Sequence, residues 1–529
     1  MVCTPAIGRY DIRNLEGRLL EPQLYNGRMP LVLILLLGLS GLMASCSGAE
    51  PHAAGTVVVA LDEGPQNLDA RIGIDATSER MIQLLYGSLV KRNKEFDVEP
   101  DLAASWEIPD PKTYIFHLRD DAYFHDGRKL TSRDVVFTFR SLLDGSVKST
   151  KRGTYRLVQS VEALDEYTVV FKLKEPFAPF LMNLSRGAIG IVPEGSAPNM
   201  GFSPIGTGEF KFVRYVPDGE VVLERNDRYY GHKPLISTVR FKIVPESVVR
   251  ALELRKGSVD IALNVLSPDM VEVLKNNPNL ETLNAPGTVY QYIAFNMKDP
   301  VFADLRVRKA IAYAIDRDAI IKYLWRGQAR PATGVIPIGN WCYTPDVTTY
   351  SYNPERAREL LREAGKSGLT FGFRTSTDET QRTLATVFQQ QLKEVGIQMT
   401  LQTNEPATFS ADIEKGNFQA YARRWIGGNN DPDIFNLIFH SMMTPPNGAN
   451  RGFYANPRVD ELIDFGRRET EAMKRKPAYQ EIQKIVAEEL PYVSLFYLNN
   501  VAVFSKRIEG MTLYPSGEYE FLSDITIRE

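Results

Sequence analysis

The chain has 529 residues, of which 43% are hydrophobic and 24% charged. That composition excludes wholesale disorder and collagen-like repeats and gives enough chain for two to four cores. Lys plus Arg total 62 against 65 Asp plus Glu, a net charge of −3. This near balance lacks the basic stripe of a nucleic-acid binder, and five His with three Cys are too few for a large metal cluster.

In chain order, the first signal is the apolar run from Met29 to Ser45, MPLVLILLLGLSGLMAS. A membrane span needs roughly 20 apolar residues, and the strongest part here, Leu31 to Leu39, is far shorter. It fits the hydrophobic region of a secretory signal. Leu42-Met43-Ala44-Ser45-Cys46 then resembles a bacterial lipobox, which would make Cys46 the lipidated N-terminus of an exported protein; a plain signal peptide with a chance Cys is the other reading. Residues 1 to 28 carry Arg9, Arg13, Arg18 and Arg28 against Asp11, Glu16 and Glu21, so either the basic leader is long or the true start lies downstream. Residues 1–45 are thus taken as signal and 46–55 as a small-residue tether. Only Cys342 would remain as a thiol, so stability must come from core burial rather than disulfides.

Thr56 to Leu61 predicts a buried strand, and Tyr114 to Leu118 another. The Asp126-Gly127 turn leads to Thr131 and Asp134, a capping-box pattern before a helix that runs to Leu143. Strands follow at 168–173, 221–224 and 239–244, then a helix over 248–254 closed by Gly257, and a strand at 259–262. Asp304 and Asp316 are predicted to cap two successive helices, the second stopping near Gly327. Asn353-Pro354 opens another, ended by Gly365. Helices are predicted over 381–395, 459–468 and 477–490, with strands at 397–401 and 492–503. The mixture argues an α/β class with more than one core.

Catalytic patterns are missing from the chain beyond residue 45. There is no G-x-S-x-G elbow, P-loop, H-E-x-x-H or C-x-x-C. Gly206-Thr207-Gly208 reads as a tight turn. His117 and His125 read as ordinary surface or half-buried residues, and Asp120-Asp121 as turn formers. Cys342 has only Trp341 and Tyr343 beside it, neither of them a base. No catalytic residue, metal site or cofactor is expected.

Five segments in register carry a resemblance: Tyr114–Leu143; Ile205-Gly206-Thr207-Gly208-Glu209-Phe210 with Leu223–Tyr230; Ala294-Phe295-Asn296 with Asp304–Arg317; Asn353–Gly365; and Trp425–Phe435, WIGGNNDPDIF. Together they resemble the extracellular solute-binding proteins of ABC importers, the family 5 branch that binds oligopeptides, dipeptides and nickel. The resemblance spans residues 56 to 529. It implies an α/β two-lobed clamshell of the periplasmic-binding-protein type, with an extra α/β subdomain inserted in the first lobe and two hinge crossover strands near Tyr290–Phe295 and Tyr497–Phe504. The expected base lobe is 56–85, 201–285 and 505–529, the inserted subdomain 86–200 and the second lobe 286–504.

The resemblance places Trp425 on the family's pocket tryptophan. In the peptide-binding branches an acid three positions later pairs with the peptide ammonium; here that position is Gly428, which departs from the pattern. Asp431 or Asp433 could replace the charge, although Asp431-Pro432-Asp433 is also a loop motif. Arg423 or Arg424 could clamp a carboxylate, and strand alternation lets only one face the cleft. Asn429 and Asn430 could bond polar groups, and Tyr290 and Tyr292 could stack on ligand. The implied function is that of a lipid-anchored binding protein, a monomer and not an enzyme. It would capture a peptide-like solute and deliver it to importer permease subunits at the periplasmic or outer face of the bacterial membrane. A sugar, an opine-like molecule or a chelated metal is the alternative solute, and an exported hydrolase the rival class.

Overall fold

The computed structural model describes residues 53–528 apart from 94, 96, 186 and 427–430. The signal segment, Cys46 and most of the tether lie outside the described residues, as do Gly428, Asn429 and Asn430. Among the described residues no helix is long and apolar enough to cross a membrane.

An eleven-stranded sheet organises the chain. Its path is Gln398–Asn404, Thr370–Ser376, Ala420–Trp425, Leu280–Phe295, Tyr492–Ser505, Ile261–Leu263, Thr56–Leu61, Thr238–Ile243, Glu220–Arg225 and Phe210–Val216, with Ala329–Pro331 also paired to Tyr492–Ser505. Parallel pairing is confined to two places. Thr56–Leu61 lies parallel to Thr238–Ile243 and Ile261–Leu263, and Thr370–Ser376 lies parallel to both its neighbours. The 16-residue strand Leu280–Phe295 and the 14-residue strand Tyr492–Ser505 are antiparallel and join the two halves. Their ladder shifts register between Ala285 and Val289. Pro286 has no N–H to give the ladder, and Gly287 passes so close to its neighbour that a Cβ there would sit 2.5 Å from the Leu498 carbonyl oxygen.

Separate cores lie on either side of these strands. One packs Val57, Val59, Phe210, Phe241, Ala502 and Phe504 with the helix Ala76–Leu85. Others pack Phe295, Val307, Leu360 and Phe388, or the tyrosines 290, 292, 421, 479, 492 and 497. A four-stranded antiparallel sheet, Ala103–Asp110, Thr113–Leu118, Thr168–Leu173 and Val158–Ala163, has its own core under the helix Ser132–Leu143. There Phe139 meets Phe171 and Tyr155 edge to face at 4.9 and 5.2 Å. Burial of each such side chain stabilises by about 1.5–3 kcal/mol, so the cores need no disulfide. Cys342 is fully buried, and burial raises its thiol pKa.

The predicted caps form. The Thr131 and Asp134 side chains close a capping box, with the Thr131 N–H donating to Asp134 at 2.8 Å. Asp304 and Asn353 accept from Arg306 and Arg356 N–H at 2.9 Å each. Two helices differ from expectation. The segment after Asp316 is a short α-turn, Arg317–Ala319, followed by a π-turn, Ile320–Leu324. The helix predicted from Pro477 begins earlier, at Ala472, with the proline inside it. A ring so near the start removes only one early hydrogen bond, and the buried Arg475 anchors the turn before it.

Candidate functional site

A cavity of about 580 Å³ is lined by two groups of segments. One comprises the helix Ala76–Leu85, Arg92, residues of the stretches 150–185 and 187–188, and Glu518; the other comprises residues of the stretches 335–340, 425–426 and 433–447, and Arg467. Thr288 and Tyr290, on the long joining strand, also line it. The two groups touch directly. The Ala178 N–H donates to the Arg467 carbonyl oxygen at 2.8 Å, and the Arg467 guanidinium lies 5.1 Å from the centre of the Phe177 ring. A second cavity of about 360 Å³ lies behind Tyr290, lined by residues 290–352 and 435–494, with Tyr290 and Val335 common to both.

Trp425 is half-buried at the end of its strand, opposite Tyr290 in the ladder. Its indole N–H has no partner among the described residues, and the Arg451 guanidinium sits 5.7 Å from the ring centre. Tyr290 is 2% exposed, and its hydroxyl shares a 2.6 Å hydrogen bond with Ser494 Oγ. Burial raises its phenol pKa, so it stays neutral. Tyr292 stacks between Tyr290 and Tyr492 at 5.5 and 4.3 Å and does not line the cavity.

Strand alternation puts Arg423 on the Trp425 face and Arg424 on the other, exposed. Neither lines the cavity. Arg423 donates to Ser410 Oγ at 3.2 Å and lies over the Phe409 ring. Asp431 is buried, with both carboxylate oxygens 2.7 Å from the Arg475 Nη2, and it caps the Asp433 N–H at 3.0 Å. It too is absent from the lining, where Asp433 stands instead.

Of the charges that the cavity does hold, sequence reasoning singled out only Asp433. Six charged side chains line it: Glu79, Arg92, Arg156, Asp433, Arg467 and Glu518. Arg92 pairs with Glu518 at 3.1 Å and Arg467 with Asp433 at 2.7 Å. Burial, with the Asp431 charge added, raises the Asp433 carboxyl pKa against the pull of Arg467. The Glu79 carboxylate makes no hydrogen bond or ion pair to a described residue. Burial pushes its carboxyl up to about 7, with Glu518 and Asp75 raising it and Lys151 and Arg92 lowering it. The Asp75 cap before Ala76, followed by Met81, Ile82, Leu84 and Leu85, was the available sign of this helix.

Catalytic alternatives find no support in the geometry. His125 is tied to the Gly208 carbonyl at 3.2 Å, and burial lowers its pKa to about 4, so the ring is neutral. His117 faces Glu107 on an exposed strand, and Asp121 pairs with Arg119. No group of three or more metal-binding side chains occurs among the described residues.

Cores on either side of paired crossover strands, with a cavity between the segments they join, define a two-lobed solute-binding protein. The description "Bacterial extracellular solute-binding proteins, family 5 Middle" matches residues 97–442, and the chain belongs to that family. It is 28% identical over 523 residues to the dipeptide-binding protein of Escherichia coli K12, covering 92% of this chain and 97% of that one. Among solved structures, the periplasmic binding protein DppA of Helicobacter pylori in complex with the peptide STSA is similar at 26% identity and TM-score 0.77. The match covers 90% of this chain and 98% of that one. NikA of Brucella suis in complex with Fe(III)-EDTA is similar at 25% identity and TM-score 0.82, covering 90% and 100%. The family binds solutes and does not comprise enzymes, which removes the hydrolase reading.

Proposed function

We propose that this protein is the lipid-anchored, monomeric capture component of an ABC importer. It takes a peptide-like solute into the 580 Å³ cavity and presents the closed form to the permease. The observation that carries this reading is the cavity itself, walled by both groups of segments and crossed by the Ala178–Arg467 contact. A solute touching both walls stabilises closure by its differential affinity for the closed state. Exclusion of water strengthens each charge-assisted bond inside.

In this reading residues 56–85, 201–285 and 505–529 form the base lobe, 86–200 the inserted subdomain and 286–504 the second lobe. The separate packing of the Phe116, Phe139 and Phe171 core supports that division. Trp425 and Tyr290 contact the solute; the resemblance gives Gly428, Asn429 and Asn430 the same role, and they lie outside the described residues. Cys46 carries the lipid, on the strength of the Leu42–Cys46 motif, and 1–45 is removed.

One observation favours a second reading. Gly428 stands where an acid would hold a peptide ammonium, which suits a solute without a free α-amine, such as a sugar, an opine-like compound or a chelated metal. A thermal-shift screen of the protein against dipeptides, longer peptides, sugars and metal chelates separates them. Binding stabilises by about 2.7 kcal/mol at a hundredfold excess over Kd. Shifts with peptides support the first reading, and shifts confined to non-peptides overturn it.

A further inference from the structure

The cavity holds two opposed charge pairs and two charges that have no paired partner, Glu79 and Arg156. Glu79 and Gln83 lie one helical turn apart on the helix Ala76–Leu85 and both line the cavity. Gln83 is 6% exposed, and its Oε1 has no hydrogen-bond partner among the described residues. A buried amide oxygen left unpaired is costly, and in a ligand cavity it marks a place for a donor. On the opposite wall the unpartnered group is a donor, the Trp425 indole N–H. Glu79 and Gln83 thus place two unpaired acceptors side by side on one wall, with Arg156 in the same group of segments.

We propose that the cationic group of the solute is received on the Ala76–Leu85 wall, by the Glu79 carboxylate with Gln83 Oε1 beside it. This inference rests on the solute-capture reading above and names the class of solute: an ammonium-bearing zwitterion or amine, its cation turned away from the Trp425 loop. The acid that the family pattern carries three positions after the tryptophan, absent here, is thus replaced by Glu79. The groups facing Glu79 permit this. Lys151 directs its ammonium to the Ala70 carbonyl at 3.0 Å, Arg92 is held by Glu518, and Asp75 is engaged in capping Ser78. The Glu79 carboxylate has no such partner among the described residues, and Arg156 is the other unpaired charge lining the cavity. An ammonium beside the raised carboxyl would return it to the ionised form.

The test is a cycle measured by calorimetry on the full chain. Free-amine Ala-Phe and Ala-Ala-Phe, their N-acetyl forms, and the non-peptide amines agmatine and spermidine are titrated into wild type, Glu79→Gln and Gln83→Leu. With wild type, N-acetylation should weaken binding about ten- to a hundredfold. Glu79→Gln should lose a like factor for the free amine and no longer distinguish the two forms. Gln83→Leu, which keeps the charge, should cost a few-fold and only for free amines, and it serves if Glu79→Gln fails to fold. If Glu79→Gln keeps the preference for free-amine peptides, the ammonium is read elsewhere and the proposal falls while peptide capture stands. If no peptide binds wild type, peptide capture falls. Amine binding sensitive to Glu79→Gln then sustains the cation site, and absence of any amine binding overturns it.

Discussion

Asp431→Asn should destabilise the protein sharply while leaving the solute site chemically intact. Asp431 and Arg475 are almost wholly buried, and both carboxylate oxygens lie 2.7 Å from the guanidinium. Arg475 also donates to the Gly466 carbonyl at 2.8 Å and lies over the Trp341 ring, so the pair ties the loop before Ile434–Phe439 to the helices Pro457–Arg468 and Ala472–Glu489. Removing one partner of a buried pair costs about 3–5 kcal/mol, because the other charge is left without compensation. Unfolding entropy is about 2.1 cal/mol/K per residue, roughly 1 kcal/mol/K for a cooperative unit of this length, so Tm should fall by about 3–5 °C. Replacing both partners, as Asp431→Asn with Arg475→Met, should recover most of that loss. Scanning calorimetry with and without solute checks it. An Asp431→Asn protein that melts like wild type yet loses solute affinity would refute the reasoning and make Asp431 a ligand-binding acid.

Three further outcomes follow from the same geometry. Glu79 is raised from 4.5 to about 7 in the fold, so the folded state holds its proton more tightly than the unfolded chain. Its contribution is present below pH 4.5 and lost as pH rises through 7. Glu79→Gln should therefore be more stable than wild type at pH 8, by up to about 3 kcal/mol at 1.36 per pKa unit, and equal to it at pH 4. Denaturant titrations at the two pH values decide this, and an unchanged difference would count against it. Gly287→Ala places a Cβ 2.5 Å from the Leu498 oxygen and should cost about 1–3 kcal/mol, read as a lower Tm; a wild-type Tm would show that the joining strands give way freely. Trp425→Phe keeps the ring but removes the unpartnered indole N–H, so solute affinity should fall by about 0.5–1.5 kcal/mol with Tm unchanged. Unaltered affinity would remove Trp425 from the solute-bonding groups.

Local chemistry was legible wherever a residue type had one thing to do. Asp304 and Asn353 read as caps and act as caps, and Gly257, Gly365 and Gly396 take the left-handed conformation expected after their helices. The strand Leu280–Phe295 was expected only near Tyr290–Phe295, from the family resemblance; its first half, with the register shift after Ala285, was not read from the sequence. The Pro477 helix start was misplaced because tertiary anchoring of Arg475 outweighed the proline signal. The candidate site was half legible. Trp425 and Tyr290 came from the family pattern and lie on the cavity, whereas Glu79, Gln83 and Glu518 carry no motif. Arg92 and Glu518 stand 426 positions apart in the chain and meet only because the fold brings the C-terminal segment back to Val90–Arg92.

The most direct measurement is native mass spectrometry of the protein after incubation with an equimolar mixture of short peptides, sugars, polyamines and metal chelates, followed by buffer exchange. The account predicts one retained solute per chain, with the mass of an amine-bearing, peptide-like molecule. Retention of a sugar or a chelate in its place, or of no solute from the mixture, would contradict it.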